Sequence, residues 1–261
     1  MTTRRALSAA LREELDRDPP WMYSWQLGAR RTRAAHTLLD SIHATRASLI
    51  EDEVRAELAA AGPAPCALDL ACCEGWFAHR LLDWGAGEVL GIDVREQSVR
   101  RAELVRDHLG IDAGRLRFRT ADVLGLTARE LGRFDVVLCL GLVYHVEHPM
   151  GVLRLARELT RGLCVIESQT ARVETPALFG FGSRSAFEAT DAVIAVHRES
   201  DQATNQLASY GGALSFCPNA AALRLMTVTA GFADVRRADP GPGHDPDFHS
   251  GDRALLFARR G

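Results

Sequence analysis

The chain has 261 residues, 47% of them hydrophobic, a net charge of −3, six cysteines, and basic side chains (histidine apart) that are all arginine. That length closes one large α/β core with an elaboration or two, and the near-balanced charge gives no bulk attraction to nucleic acid or an anionic membrane, which points to a small-molecule partner. The lack of lysine excludes Schiff-base chemistry. No apolar run approaches the roughly 20 residues of a bilayer span, and an N-terminus that turns acidic and amphipathic is unlike a signal peptide, so a cytoplasmic protein is expected.

Residues 6–16 and 29–61 predict helices, since Leu38, Leu39, Ile42, Leu49, Ile50, Val54 and Leu58 recur at three- and four-residue steps. Between them PPWMYSWQLG crowds Trp21, Tyr23 and Trp25 beside two prolines. Such rings either pin the N-terminal helices to a core or close as a lid over a ligand, where Tyr23 and Trp25 would touch an acceptor. After the loop AGPAPC the strands CALDLA, EVLGIDV, LRFRTAD, FDVVLCLGLVY and GLCVIESQT alternate with the helices EGWFAHRLLDWG, REQSVRRAELVRDHLG, TARELG and HPMGVLRLARELT. This alternation predicts βαβ units and a parallel sheet covered on both faces. Ligands in such sheets sit beyond the carboxyl ends of the strands, where strand order reverses. Residues 171–215 interrupt the pattern with a strand at AVIAVHRE, and Glu199 and Asn205 there are candidate acceptor contacts. The cysteines at 66, 72, 73, 139, 164 and 217 lack paired spacing and read as reduced, buried thiols.

The stretch ALDLACCEGWF places a turn after the first long strand, where a nucleotide site would have several glycines, and here only Gly75 is one. Ala71 and Cys73 add β-carbons that weaken a phosphate cradle, because bulky phosphate needs the closest backbone approach. Asp69 at that strand end would repel pyrophosphate and suit a cation, which favours a sulfonium ligand over a dinucleotide. Asp93, 24 positions on, stands near the spacing of an acid that takes ribose hydroxyls. Asp122 ends the next strand, where a carboxylate would meet an adenine amino group. Acids at three successive strand ends predict one cofactor site built on Asp69, Ala71, Cys73, Gly75, Asp93, Val94, Asp122, Val123 and Cys139.

At these residues the sequence resembles the class I S-adenosylmethionine-dependent methyltransferases, over 64–170 and from 216 to the end. ALDLACCEGWFAHRLLDWGAGEVLGIDV, LCLGLVYHVEHPMGVLRLARELT and CVIESQT resemble the branch holding the tRNA wobble-uridine carboxymethyltransferase and related small-molecule enzymes. The resemblance implies S-adenosylmethionine as cofactor and a Rossmann-like seven-stranded sheet with an antiparallel last strand: ADVRRADP and RALLFARR would complete it after the helix PNAAALRLMTVTAGF. The expected organisation is an N-terminal helical lid (1–62), a cofactor-binding core (63–170 and 216–261) and an insertion (171–215) that shapes the acceptor site.

Methyl transfer needs a nucleophile held in line, shielded from water and deprotonated where it begins as a hydroxyl. His145, beyond the fourth strand with Tyr144, is the expected general base because imidazole titrates near neutral pH. Glu167 and His148 are further expected acceptor contacts. His244, Asp245, Asp247 and His249 would join His145, Glu147 and His148 in a metal site only through an assumed tertiary approach, so no metal is expected. O- or N-methylation of a small molecule in specialised biosynthesis is therefore the leading expectation. The alternatives are tRNA modification, which needs an electropositive face, and a non-catalytic cofactor-binding protein. A carboxy-S-adenosylmethionine variant needs cations near the transferred group; by the resemblance Tyr144 matches a position that contacts the extra carboxylate.

Overall fold

The computed structural model describes residues 6–17, 21–32, 37–172, 191–199, 209–212 and 214–261. The chain opens with α1 (Ala9–Asp16), capped by the Ser8 hydroxyl, which accepts from Leu11 N at 3.1 Å. Strands β1 (Gln26–Leu27) and β2 (Arg30–Arg31) form a small hairpin, and α2 runs over Thr37–Ala60. The helix expected from residue 29 therefore starts later. Gly28 at φ +64° turns the hairpin, and Thr32 locks it by accepting from Trp25 N and donating to Tyr23 O, both at 2.6 Å.

The alternating region gives β3 (Cys66–Leu70), α3 (Trp76–Asp83), β4 (Glu88–Asp93), α4 (Glu96–Leu109), β5 (Leu116–Thr120), α5 (Ala128–Leu131), β6 (Phe134–Leu140), α6 (Pro149–Leu159) and β7 (Thr160–Gln169). A two-stranded sheet of β8 (Ile194–Arg198) and β9 (Leu214–Pro218) follows, and then α7 (Ala220–Thr229), β10 (Asp234–Arg237), α8 (Pro246–Ser250) and β11 (Arg253–Arg259). The main sheet has seven strands in the order β10-β11-β7-β6-β3-β4-β5, and β11 runs antiparallel to both neighbours. Order reverses between β3 and β6, so their carboxyl ends flank the crevice where α/β sheets take ligands.

Strand alternation splits the core. Val136, Leu138 and Leu140 of β6 face α2, α3 and the N-terminal aromatics, whereas Val137 and Cys139 face α6 and α7. Trp21 and Trp25 are buried, so these rings pin the N-terminal segment to the core. A buried polar clasp reinforces it: Arg101 lies 3.2 Å from Glu14 and 3.6 Å from Glu74, with its guanidinium 4.8 Å from the Trp21 ring centre. Glu74 also accepts from Met22 N at 3.0 Å. The clasp ties the N-terminal segment to the turn after β3. Among the described residues no helix is long and apolar enough to cross a membrane.

Gly75 caps α3 at φ +75°, and a β-carbon there would sit 2.6 Å from the Phe118 ring. Gly75→Ala combines a left-handed backbone with overpacking and is expected to lower stability by about 2 kcal/mol or more. Ala71→Gly, at φ 59°, relieves a left-handed residue and is expected to stay within about 1 kcal/mol of the parent. Urea unfolding of both variants checks the contrast.

Candidate active site

The turn after β3 makes its bend without glycine, since Ala71 and Cys73 both take left-handed φ, 59° and 49°. Such residues persist only where their surroundings hold them, at a cost on the order of 1 kcal/mol each. Asp93 supplies the hold. Its Oδ2 accepts from Cys73 N and its Oδ1 from Arg95 N, each at 2.9 Å, and Cys72 N donates to Ile92 O at 2.9 Å. Burial raises the Asp93 carboxyl above the usual carboxylate range while these backbone donors oppose the rise.

A cavity of about 280 Å³ opens over this turn. Ala71, Cys73, Asp93, Val94, Asp122 and Val123 line one part of it. Asp122 caps the short turn Val123–Gly125 by accepting from Leu124 N at 2.9 Å. The Arg95 guanidinium lies 5.2 Å from the ring centre of Tyr210, which also lines the cavity. Two acids, two valines and a bend too crowded for phosphate fit a nucleoside with a cationic centre.

Arg46, His43, Tyr144, His145 and Arg253 line the rest. Glu167, with no exposed surface, joins the two arginines: its Oε2 lies 2.5 Å from Arg46 Nη2 and its Oε1 2.8 Å from Arg253 Nη1. Burial alone would raise this carboxyl, but the two guanidiniums outweigh it and hold Glu167 below its usual range. Burial raises the Tyr144 hydroxyl above its ordinary value, with the charge of Arg253 opposing the rise. Gly141, at φ +72°, ends β6 beside this cluster, and a β-carbon on it would sit 3.1 Å from Arg46 Nη2. The strand expected to run on to Tyr144 therefore stops at Leu140, and Val143–His145 form a tight 3-10 turn that presents both rings to the cavity. The His145 imidazole is pushed down to about 4, first by burial, with Glu199 opposing and Arg253, Arg95 and Arg46 reinforcing. It is neutral at physiological pH and able to take a proton.

Of the expected site residues, Ala71, Cys73, Asp93, Val94, Asp122, Val123, Tyr23, Tyr144 and His145 line this one cavity. Others lie behind it. Asp69 is buried beneath the turn, pushed up to about 8 by burial and then by Asp93, and its Oδ2 has no hydrogen-bond partner. Gly75 faces Phe118, and Cys139 packs into the α6 side of the core because its alternation in β6 turns it away. Trp25 packs edge-on against His79 with ring centres 4.9 Å apart. His148 caps α6 at the surface, Glu167 stands behind its arginines, and Glu199 meets the cavity through Ser209. Asn205 lies outside the described residues. His244 joins Gly241 N and Ser48, and Asp245 caps α8. Among the described residues no group of three His, Cys, Asp or Glu is placed to hold a metal.

Sequence reasoning missed His43, Arg46, Arg95, Ser209, Tyr210 and Arg253. Arg46 left a trace, for it interrupts the apolar stripe Ile42, Arg46, Ile50 at four-residue steps, and an arginine on a buried face needs an acidic partner. Arg253 begins an apolar strand and left no trace.

The methyltransferase-domain family matches residues 66–209. The chain belongs to that family. As a solved structure, the N-terminal domain of EvdMO1, crystallised in the presence of SAH and D-fucose, superposes with a TM-score of 0.69 at 22% identity over 100% of both chains. Magnesium protoporphyrin IX methyltransferase from Synechocystis PCC 6803 with bound SAM gives 0.52 at 18% identity, covering 87% of this chain and 85% of that one. These likenesses carry the fold: it is that of the class I S-adenosylmethionine-dependent methyltransferases. Among curated relatives, the ubiquinone biosynthesis O-methyltransferase of Nitrosospira multiformis is 30% identical over 94 residues, covering 36% of this chain and 38% of the relative. The tRNA U34 carboxymethyltransferase of Actinobacillus pleuropneumoniae serotype 7 is 33% identical over 99 residues, covering 36% and 29%. The chain thus spans less than two fifths of the curated relatives it matches. The solved neighbours hold the cofactor or its product: SAH in the EvdMO1 domain and SAM in the Synechocystis enzyme.

Removing Glu167 from the chain leaves two buried guanidiniums facing each other. Glu167→Ala is expected to cost about 3–5 kcal/mol, read by urea unfolding. Because the folded carboxyl sits below its ordinary value of 4.5, its contribution is full above that pH and is lost as pH falls through the folded value. The variant's stability deficit should therefore shrink under acid.

Proposed function

We propose that this chain transfers a methyl group from S-adenosylmethionine to a hydroxyl oxygen of a small molecule. The observation that carries this reading is the placement of the His145 ring on the wall of the same cavity that holds Asp93 and Asp122. When bound, S-adenosylmethionine supplies an electrophilic methyl on a sulfonium. Asp93 and Asp122 would hold its nucleoside, with Val94 and Val123 against the base and Ala71 and Cys73 beneath the remainder. His145 would take the acceptor's hydroxyl proton, while Tyr144, His43 and Tyr23 wall the acceptor space and exclude water. The printed names of curated relatives as O-methyltransferases favour oxygen, and so does the D-fucose, a polyol, in the crystals of the EvdMO1 domain.

A second reading, carboxymethyl transfer, is favoured by Arg46 and Arg253 on the cavity wall with Tyr144, since these supply the cations an extra carboxylate on the cofactor would need. Glu167 counts against it because it already neutralises one of the two. Incubation with S-adenosylmethionine or its carboxy analogue and a panel of D-fucose, catechol and unmodified tRNA separates the readings by mass spectrometry. Gain of one CH₂ on D-fucose or catechol is expected; product formed only from the carboxy analogue, or only on tRNA, would overturn the first reading.

Asp93→Ala and Asp122→Ala are each expected to weaken binding of the demethylated cofactor at least about tenfold, or ~1.4 kcal/mol, by calorimetry. Asp122→Ala serves as the control for turn integrity, because Asp122 is not tied to the left-handed bend.

A further inference from the structure

Ser209 stands between His145 and Glu199, two residues far apart in sequence. Its hydroxyl donates to Glu199 Oε1 at 3.0 Å, and its oxygen lies 3.3 Å from His145 Nδ1. A serine hydroxyl has one proton, and a carboxylate can only accept. With that proton directed to Glu199, the Ser209 oxygen meets the imidazole as an acceptor. Nδ1 must then carry the ring proton, which leaves the lone pair on Nε2. Ser209 is 1% exposed, so water does not compete for the link. Nε2 bonds no described residue, and His145 lines the cavity.

We propose that Glu199 and Ser209 form a relay that fixes the Nδ1–H tautomer of His145 and steadies its imidazolium, which makes both of them positioning residues for deprotonation of the acceptor. The inference rests on the methyl-transfer reading above and adds to it the device that makes the base competent. As the acceptor oxygen bonds the methyl carbon, the methyl–sulfur electron pair stays on sulfur and the hydroxyl proton passes to Nε2. Glu199 balances the resulting imidazolium through Ser209, and the proton leaves to water after transfer.

The surroundings explain why such a relay is needed. Arg46 from α2, Arg95 after β4 and Arg253 from β11 all disfavour a cation on His145, as does burial, and the Tyr144 ring packs 4.1 Å from it between centres. Glu199 is the carboxylate that opposes them. It stands after β8, Ser209 stands before β9, and β9 packs on the turn that carries His145. The two-stranded sheet outside the main fold thereby delivers a charge to a residue at the end of β6.

The tautomer can be read without turnover. In ¹⁵N-histidine-labelled protein, a long-range ¹H–¹⁵N correlation distinguishes the protonated from the bare ring nitrogen, and His145→Gln assigns the signal. The wild type is expected to show Nδ1–H with a bare Nε2. Ser209→Ala should shift His145 toward Nε2–H, and Ser209→Thr, which keeps the hydroxyl, should not. Glu199→Gln should also shift it, because an amide can donate to the serine oxygen and turn the hydroxyl toward Nδ1. With an acceptor from the panel above, Ser209→Ala and Glu199→Gln should lower kcat about tenfold or more with KM little changed. An Nε2–H tautomer in the wild type, or a Ser209→Ala protein matching the wild type in tautomer and kcat, overturns the relay. If the tautomers respond as expected and no acceptor is methylated, the functional reading fails while the relay geometry stands. If methylation proceeds and the tautomers do not respond, the relay fails alone.

Discussion

One buried carboxylate between two guanidiniums organises one side of the cavity. Glu167 stands near the carboxyl end of β7, Arg46 comes from α2 and Arg253 begins β11, so a single charge cluster fixes three elements that are distant in the chain. Each arginine needs Glu167, because an unpaired charge taken out of water is penalised by several kcal/mol. The cluster also dictates the backbone beside it: the guanidinium of Arg46 leaves no comfortable room for a β-carbon at Gly141, and the chain turns there. That turn brings Tyr144 and His145 to the cavity. The position of the imidazole thus follows from a charge pair it does not itself join.

The turn after β3 depends on a different constraint. A left-handed bend at Ala71 and Cys73 is held by Asp93, whose two oxygens accept hydrogen bonds from backbone N–H groups in the segments after β3 and after β4. A carboxylate commonly thought of as a ligand contact is here also the fastener of the turn. Glu74, in the same turn, fastens the N-terminal segment through Met22 and Arg101. Formation of the cofactor pocket and docking of the N-terminal aromatics are therefore coupled through adjacent residues.

The cavity is electrically uneven. Acids stand where a nucleoside and a cationic sulfur would lie, and arginines stand beyond the imidazole. Burial keeps the imidazole neutral, which suits a proton acceptor, while the neighbouring arginines would oppose its charging were there no opposing carboxylate. The β8–β9 hairpin, outside the main sheet, supplies that carboxylate. An appendage read from sequence as a wall of the acceptor pocket reaches the chemistry through a hydrogen-bonded serine.

The order of strands and helices was legible in the chain because it depends on local periodicity: GLCVIESQT is apolar enough to be a central strand wherever it packs, and HPMGVLRLARELT is amphipathic before it meets a sheet. Asp93, Asp122 and His145 could be singled out for a related reason: Asp93 ends β4, Asp122 and His145 follow β5 and β6, and the segments after parallel strands share one edge of such a sheet. The sequence by itself thus determined the sheet and which strand ends border the cavity. Tertiary structure alone decided the joining of Arg46 and Arg253 through Glu167, the retreat of Asp69 and Cys139 behind the wall, and the meeting of Glu199, Ser209 and His145. Those facts depend on how distant segments approach and on which face of a strand a side chain takes, and a buried charge finds its partner through space, where spacing along the chain gives no measure of distance.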